Sequence, residues 1–173
     1  MIYKFQIISQ ESQNFNLEVD VDGDSNFYEL HAVIQNTLGY QSHQLASFFV
    51  SDQNGKNVKE VSMLDAGNGL NGFPNYSMIR TKISDLVFSK NNSISYTFDL
   101  FNNRSLNVEL TGIFMKKNLK EPLVTLSEGD APVQILEEEF TAEESTVIQE
   151  DEILSDFGVL EDYAKIFGEM EDF

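Results

Sequence analysis

Near the N-terminus Tyr3, Phe5 and Ile7 alternate with Lys4 and Gln6, and Phe15, Leu17, Val19 and Val21 alternate with Asn16, Glu18 and Asp20. Two period-two runs separated by the polar SQESQN predict an antiparallel hairpin. The period changes at Asn26. Leu30, Val33, Ile34 and Leu38 fall at i, i+3, i+4 and i+8, so they share one face of a helix. Asn26 is a natural cap for its first turn, with Glu29 placed to reach back in a variant of the capping box. Gly39 stops it, because glycine turns left-handed without a Cβ penalty. The pattern therefore predicts a helix over Phe27–Leu38 and a third strand over Leu45–Ser51.

Alternation then lapses. From Asp52 to Ser77 the chain is rich in Gly and Asn, with only Val58, Val61, Met63 and Leu64 as apolar anchors, and reads as loop with short local structure. A strand over Tyr76–Thr81 and a single helical turn over Ile83–Phe88, begun at Thr81, follow. The clean pattern returns in Ile94, Tyr96, Phe98 and Leu100, then in Leu106, Val108 and Leu110, with a turn at Asn102-Asn103 that tolerates positive φ. This is a second hairpin. Leu123–Leu126 is a candidate last strand before the turn at Ser127–Pro132.

The fold class expected is α+β: a mainly antiparallel sheet from two hairpins plus one further strand, with a helix packed on one face. The domain spans 1–134. Residues 135–173 form an acidic C-terminal tail with a short helix at 155–168, in which Phe157, Leu160, Ala164 and Phe167 share a face. Charge is what separates the two parts. The 173 residues carry a net charge of −18, and 135–173 hold 14 acidic side chains against one lysine, Lys165. Like-charge repulsion opposes compaction there, so 135–152 reads as an extended linker.

Other compositional features narrow the chemistry. There is no cysteine, which removes disulfides and thiolate sites. The opening MIYKFQIISQES has one lysine and no apolar run of signal-peptide length, and no stretch nears the roughly 18 apolar residues of a membrane span. A soluble cytoplasmic protein is the expectation. Fourteen phenylalanines and six tyrosines make either the core or some exposed surface unusually aromatic.

Five ordered blocks resemble a known family: YKFQIIS, FYELHAVIQNTLGYQSHQLASFFV, ISDLV, ISYTFDLFNNRSLNVELTGI and LVTLSEGDAPVQ. They are similar to the Ri-plasmid ORF-three-like family, and within it to the branch labelled an insertion-element passenger resolvase. The resemblance covers about residues 1–134 and implies an α+β fold in a bacterial protein, with no established function. Other branches carry a Gly-Asp-Trp-like segment after the strand and an acidic-proline segment after the glycine turn. Here those places read Phe101-Asn102-Asn103-Arg104 and Ala131-Pro132-Val133-Gln134.

Recombinase chemistry needs several arginines around its nucleophile, because the transferring phosphoryl group gathers negative charge. Arg80 and Arg104 are the two arginines in the chain, and no basic stripe marks a nucleic-acid surface. Asp20–Ser25 resembles a calcium loop only superficially, since Ser25 stands where glycine belongs and His31 where a bidentate glutamate belongs. A strand end and turn is the simpler reading. The Gly67–Gly72 loop lacks the Gly-Lys-Ser/Thr ending of a phosphate cradle. His31 beside the helix stripe and His43 in the loop after it are the two histidines, and a joint role requires that they converge with carboxylates.

The leading functional expectation is a non-enzymatic protein-interaction module. Its candidate pocket or contact residues are His31, His43, Arg104, Phe157, Leu160 and Phe167. A protein partner is expected, with no nucleic acid, membrane, metal or cofactor. The alternative is a small-ligand binder or enzyme whose aromatic-lined pocket is built on Asn26–Val50 and Ile94–Leu110.

Overall fold

The computed structural model describes residues 1–136 except 53, 65–71, 91 and 116–117. The chain divides after Leu136, so the proposed tail helix at 155–168 lies outside the described residues, as does most of the Gly67–Gly72 loop. Eight strands and two helices make up the described part: β1 Ile2–Ser9, β2 Asn16–Asp22, α1 Phe27–Leu38, β3 Ser47–Ser51, β4 Lys59–Ser62, β5 Asn75–Ser77, α2 Ile83–Leu86, β6 Ser93–Asp99, β7 Arg104–Phe114 and β8 Leu123–Glu128. The strands form one sheet in the order β5-β4-β3-β6-β7-β1-β2-β8. Only the β4–β5 pair is parallel.

The two hairpins lie side by side through β1 and β7, and register explains why the sheet has one apolar face. Ile7 sits opposite Leu17 on one side and Val108 on the other, and Val108 in turn faces Ile94. Ile94 faces Val50, and Phe48 lies between Tyr96 and Val61. Because side chains alternate with period two, these cross-strand partners all point one way. Phe15, Leu17, Val19, Ile94, Phe98, Leu106 and Val108, the residues on which the strand assignments depend, are all buried. Burying each such side chain is worth roughly 1.5–3 kcal/mol before the entropy of ordering it.

Helix α1 has the expected bounds. Its Asn26 Oδ1 accepts from the Glu29 N–H at 3.0 Å, and Gly39 ends it at φ 68°. The cap is this one bond from the Asn26 side chain, and the Glu29 Oε2 is buried without a partner. Leu30 and Ile34 are fully buried, with Val33 and Leu38 packed at the margin of the core. Phe27 meets Phe48 of β3 with ring centroids 5.4 Å apart.

The sheet is wider than two hairpins plus one strand. β4 was not evident because Lys59-Glu60-Val61-Ser62 has one apolar position, and it becomes a strand by pairing Val61 with Phe48. The expected strand at Tyr76–Thr81 is the shorter β5, because 78–80 turn back, with the Arg80 and Thr81 N–H groups donating to the Ser77 carbonyl. The helical turn starts after Lys82 rather than at Thr81, and the Asp85 carboxylate accepts from the Lys82 N–H at 3.2 Å. β8 runs two residues beyond Leu126 along the free edge of β2. Among the described residues no helix is long and apolar enough to cross a membrane.

Candidate functional site

The two histidines sit in opposite environments. His43 is exposed in the loop after α1, whereas His31 is buried against β6. Gln35 Nε2 donates to the Tyr96 hydroxyl at 2.9 Å, and His31 Nδ1 shares a hydrogen bond with the same hydroxyl, also at 2.9 Å. Burial pushes the His31 pKa down and the Tyr96 pKa up, so both stay uncharged. This cluster locks α1 to the sheet.

Arg104 is committed to the fold as well. Its Nε and Nη2 donate to the Glu11 carboxylate at 3.1 and 2.6 Å, its Nη1 donates to the Gln134 carbonyl at 3.3 Å, and Asp99 lies 3.8 Å away. The guanidinium stacks 5.0 Å from the centre of the Phe98 ring. Burial works against the Asp99 carboxylate, but hydrogen bonds from Asn102 and the Arg104 charge outweigh it and hold its pKa low. The chain from Asp130 to Gln134 is strapped down at this end. Tyr40 Oη donates to the Pro132 carbonyl at 2.6 Å, while the Gln134 amide pairs with both backbone groups of Gln41. The two segments where other branches of the resembled family carry distinctive residues therefore meet here, joined by Arg104 and Gln134.

The acidic turn after β2 is also internally matched. Asp22 accepts from the N–H groups of Asp24 and Leu119 at 3.0 and 3.1 Å, and Asp24 pairs with Lys82 at 2.9 Å. Among the described residues no three His, Asp or Glu side chains group as metal ligands would. Phe157, Leu160 and Phe167 lie outside the described residues.

The surface with room for something else is the sheet face opposite the core. Phe49, Ser95, Thr97 and Ser105 point there from β3, β6 and β7, since Phe49 pairs with Ser95 and Thr97 with Ser105. With Phe73 and Leu100 they line a groove of about 610 Å³. Neither His43 nor Arg104 is among its lining residues. Leu100 also borders a second, tighter cavity of about 20 Å³ whose wall includes Glu60. That carboxylate is 1% exposed. Its Oε1 accepts from Ser47 Oγ at 3.0 Å, and its Oε2 is buried with no partner. Glu60 and Ser47 were missed in the sequence because the run containing Glu60 looked like loop. The alternation of Ser95, Thr97 and Ser105 with buried neighbours was the legible signal for the groove.

An α+β protein built on a single, mostly antiparallel eight-stranded sheet is the class this architecture defines. The chain belongs to the plasmid pRiA4b ORF-3-like protein family, which it matches over residues 3–152. That is the resembled family, and the match extends past the five blocks. A crystal structure of a protein of unknown function, MM3350 from Methanosarcina mazei Go1, is similar in fold, with a TM-score of 0.59 and 20% identity over 73% of this chain and 68% of that one. No curated protein matches the sequence.

Proposed function

We propose that this chain is a protein-interaction module whose contact surface is the outer face of the sheet at β3, β6 and β7. The observation that carries this reading is the groove of Phe49, Phe73, Ser95, Thr97, Leu100 and Ser105. Hydroxyl groups there donate and accept hydrogen bonds without titrating near neutrality, and Phe49 and Phe73 add apolar contact area. Such a lining suits recognition better than acid–base chemistry. The acidic segment 135–173 serves as a second contact, with Phe157, Leu160 and Phe167 as its apolar face. The module works in the cytoplasm, and its resemblance to an insertion-element passenger branch fits a protein that acts beside other proteins rather than on DNA.

The test is stoichiometric capture from the source cell with the full chain, a chain ending at Leu136, and a Phe49→Ala/Ser95→Arg variant. A partner held by the wild type and lost by the groove variant at unchanged melting temperature is expected. Capture that ignores the groove variant, or no stoichiometric partner at all, would sink the reading. A small polar ligand in the same groove is the second reading. It is favoured because the lining comes mainly from Asn26–Val50 and Ile94–Leu110, the two blocks expected to build a pocket. Thermal shift against a metabolite panel tests it, since a ligand at 100 times its Kd stabilises by about 2.7 kcal/mol.

A further inference from the structure

Glu60 is a buried charge left half-matched. A carboxylate only accepts hydrogen bonds, and burying one is costly unless both oxygens find donors. Ser47 supplies a donor to Oε1 alone. The nearby polar groups are turned on one another: Ser62 Oγ donates to the Leu64 carbonyl at 2.8 Å and Asn75 Nδ2 to the same oxygen at 2.9 Å. Four buried side-chain oxygens lack a partner among the described residues, on Asp20, Glu29, Gln35 and Glu60; of these residues only Glu60 is a fully buried acid, and it is also one of the residues that line a described cavity.

Resting on the interface reading above, we propose that this cavity receives the ammonium group of a lysine side chain carried by the partner. Charge, size and surroundings select that group together. The occupant must bring a donor and a positive charge. A metal ion wants several oxygen ligands, and among the described residues no cluster of acids or histidines groups to supply them. The cavity of about 20 Å³ holds one water-sized group, which admits a compact ammonium and excludes a planar guanidinium. At its mouth Leu45, Met63 and Leu64 are 46%, 40% and 49% exposed, an apolar rim for a four-carbon stem. Leu100 joins this rim to the groove, so a lysine on a segment lying in the groove reaches Glu60. The net charge of −18 draws basic partners to the chain.

The experiment titrates the full chain with four probes: n-butylammonium, n-butyltrimethylammonium, a short lysine-bearing peptide and the same peptide acetylated on Nζ. Backbone amide shifts at Glu60, Ser62 and Asn75 report the site, and calorimetry gives the affinity. Butylammonium and the lysine peptide should move those amides. Trimethylation, acetylation and Glu60→Gln should each weaken binding at least about tenfold, the equivalent of losing one charge-assisted hydrogen bond. Equal shifts from the trimethylated probe mean general attraction to an acidic protein, and overturn the proposal. So does unchanged affinity in Glu60→Gln, which leaves water as the occupant. Tight binding of the free amine with none of the peptide makes this a small-amine site and overturns the assignment to a partner lysine. Should Glu60→Gln fail to fold, the ammonium-to-trimethylammonium ratio in the wild type decides. Partner capture lost in the groove variant but kept in Glu60→Gln would leave the interface standing and remove the lysine. Ammonium binding with no captured partner would leave the cavity's preference for an ammonium standing and overturn both the interface and the partner lysine.

Discussion

Arg104 and Glu60 are both buried charged residues of one sheet, and they differ in how far the protein itself has matched them. Arg104 meets two carboxylates, a carbonyl and an aromatic face, all within the fold. Glu60 meets one serine hydroxyl, and its second oxygen has no partner. Internal matching of this kind marks a structural clasp, because each of the three guanidinium nitrogens already donates within the fold. A bare acceptor in a small cavity marks a place where the fold has left a requirement open. The contrast separates a charge that maintains the structure from one available to something outside it.

The sharpest way to break the comparison is to put methionine at each position. Arg104→Met leaves the Asp99 carboxylate, 10% exposed, without its cation, and removes one of the bonds that anchor Gln134. Breaking a buried pair from one side costs about 3–5 kcal/mol. Glu11 is 41% exposed and water screens its share, so a loss of about 3 kcal/mol in urea unfolding is expected. A loss under about 1 kcal/mol would mean the clasp is a surface contact.

Gly129 tests the same end through the backbone. It sits at φ +72°, and a Cβ there would lie 2.1 Å from the Asn14 carbonyl oxygen. The left-handed region alone costs an ordinary residue about 1–2 kcal/mol. With the Asn14 backbone in the way, Gly129→Ala should lose about 2 kcal/mol and loosen the strap, seen as faster amide exchange at Gln41 and Gln134. Normal exchange at those amides would show that the strap is not held by this turn.

The difference between the two ends also explains what the sequence could convey. Both hairpins, α1, its cap and its glycine stop were legible, because each is signalled by residues within a few positions of one another. The positive φ of Asn103 follows from the same local chemistry. β4 was not legible: a strand with one apolar residue exists only through Phe48 and Phe49 beside it, and no local period announces that. Arg104 stood out as a rare arginine, but its partners Glu11 and Gln134 lie 93 and 30 positions away. Glu60 was invisible for a related reason, since its burial depends on strands assembled from three separate regions.

A third buried polar group, His31, carries no charge at neutral pH. Burial lowers the His31 pKa, so above about pH 6.5 the ring is neutral in both folded and unfolded chains and the cluster keeps its full contribution. As the pH falls below that value the unfolded chain takes up a proton that the folded chain resists. Stability is lost progressively toward the lower folded pKa. Urea unfolding from pH 7.5 down to pH 5 should show this slope in the wild type and a flatter one in His31→Gln. Equal slopes would mean that the proton enters the folded cluster freely.

The smallest expected effect falls on Glu60, and its smallness is the point. Glu60→Met combined with Ser47→Ala removes the carboxylate together with its one donor, so no partner is left stranded. Replacing both members of a buried polar pair by apolar groups of similar shape is nearly neutral or stabilising. Methionine is unbranched and adapts to an irregular wall, here one that already includes Leu45, Met63, Leu64 and Leu100. The double variant should unfold within about 1 kcal/mol of the wild type, or above it, while losing the response to butylammonium. A residue retained for the fold would not behave that way. If the double variant loses 3 kcal/mol or more, on the scale of Arg104→Met, then Glu60 holds β3 to β4 after all, and the two buried charges do the same work.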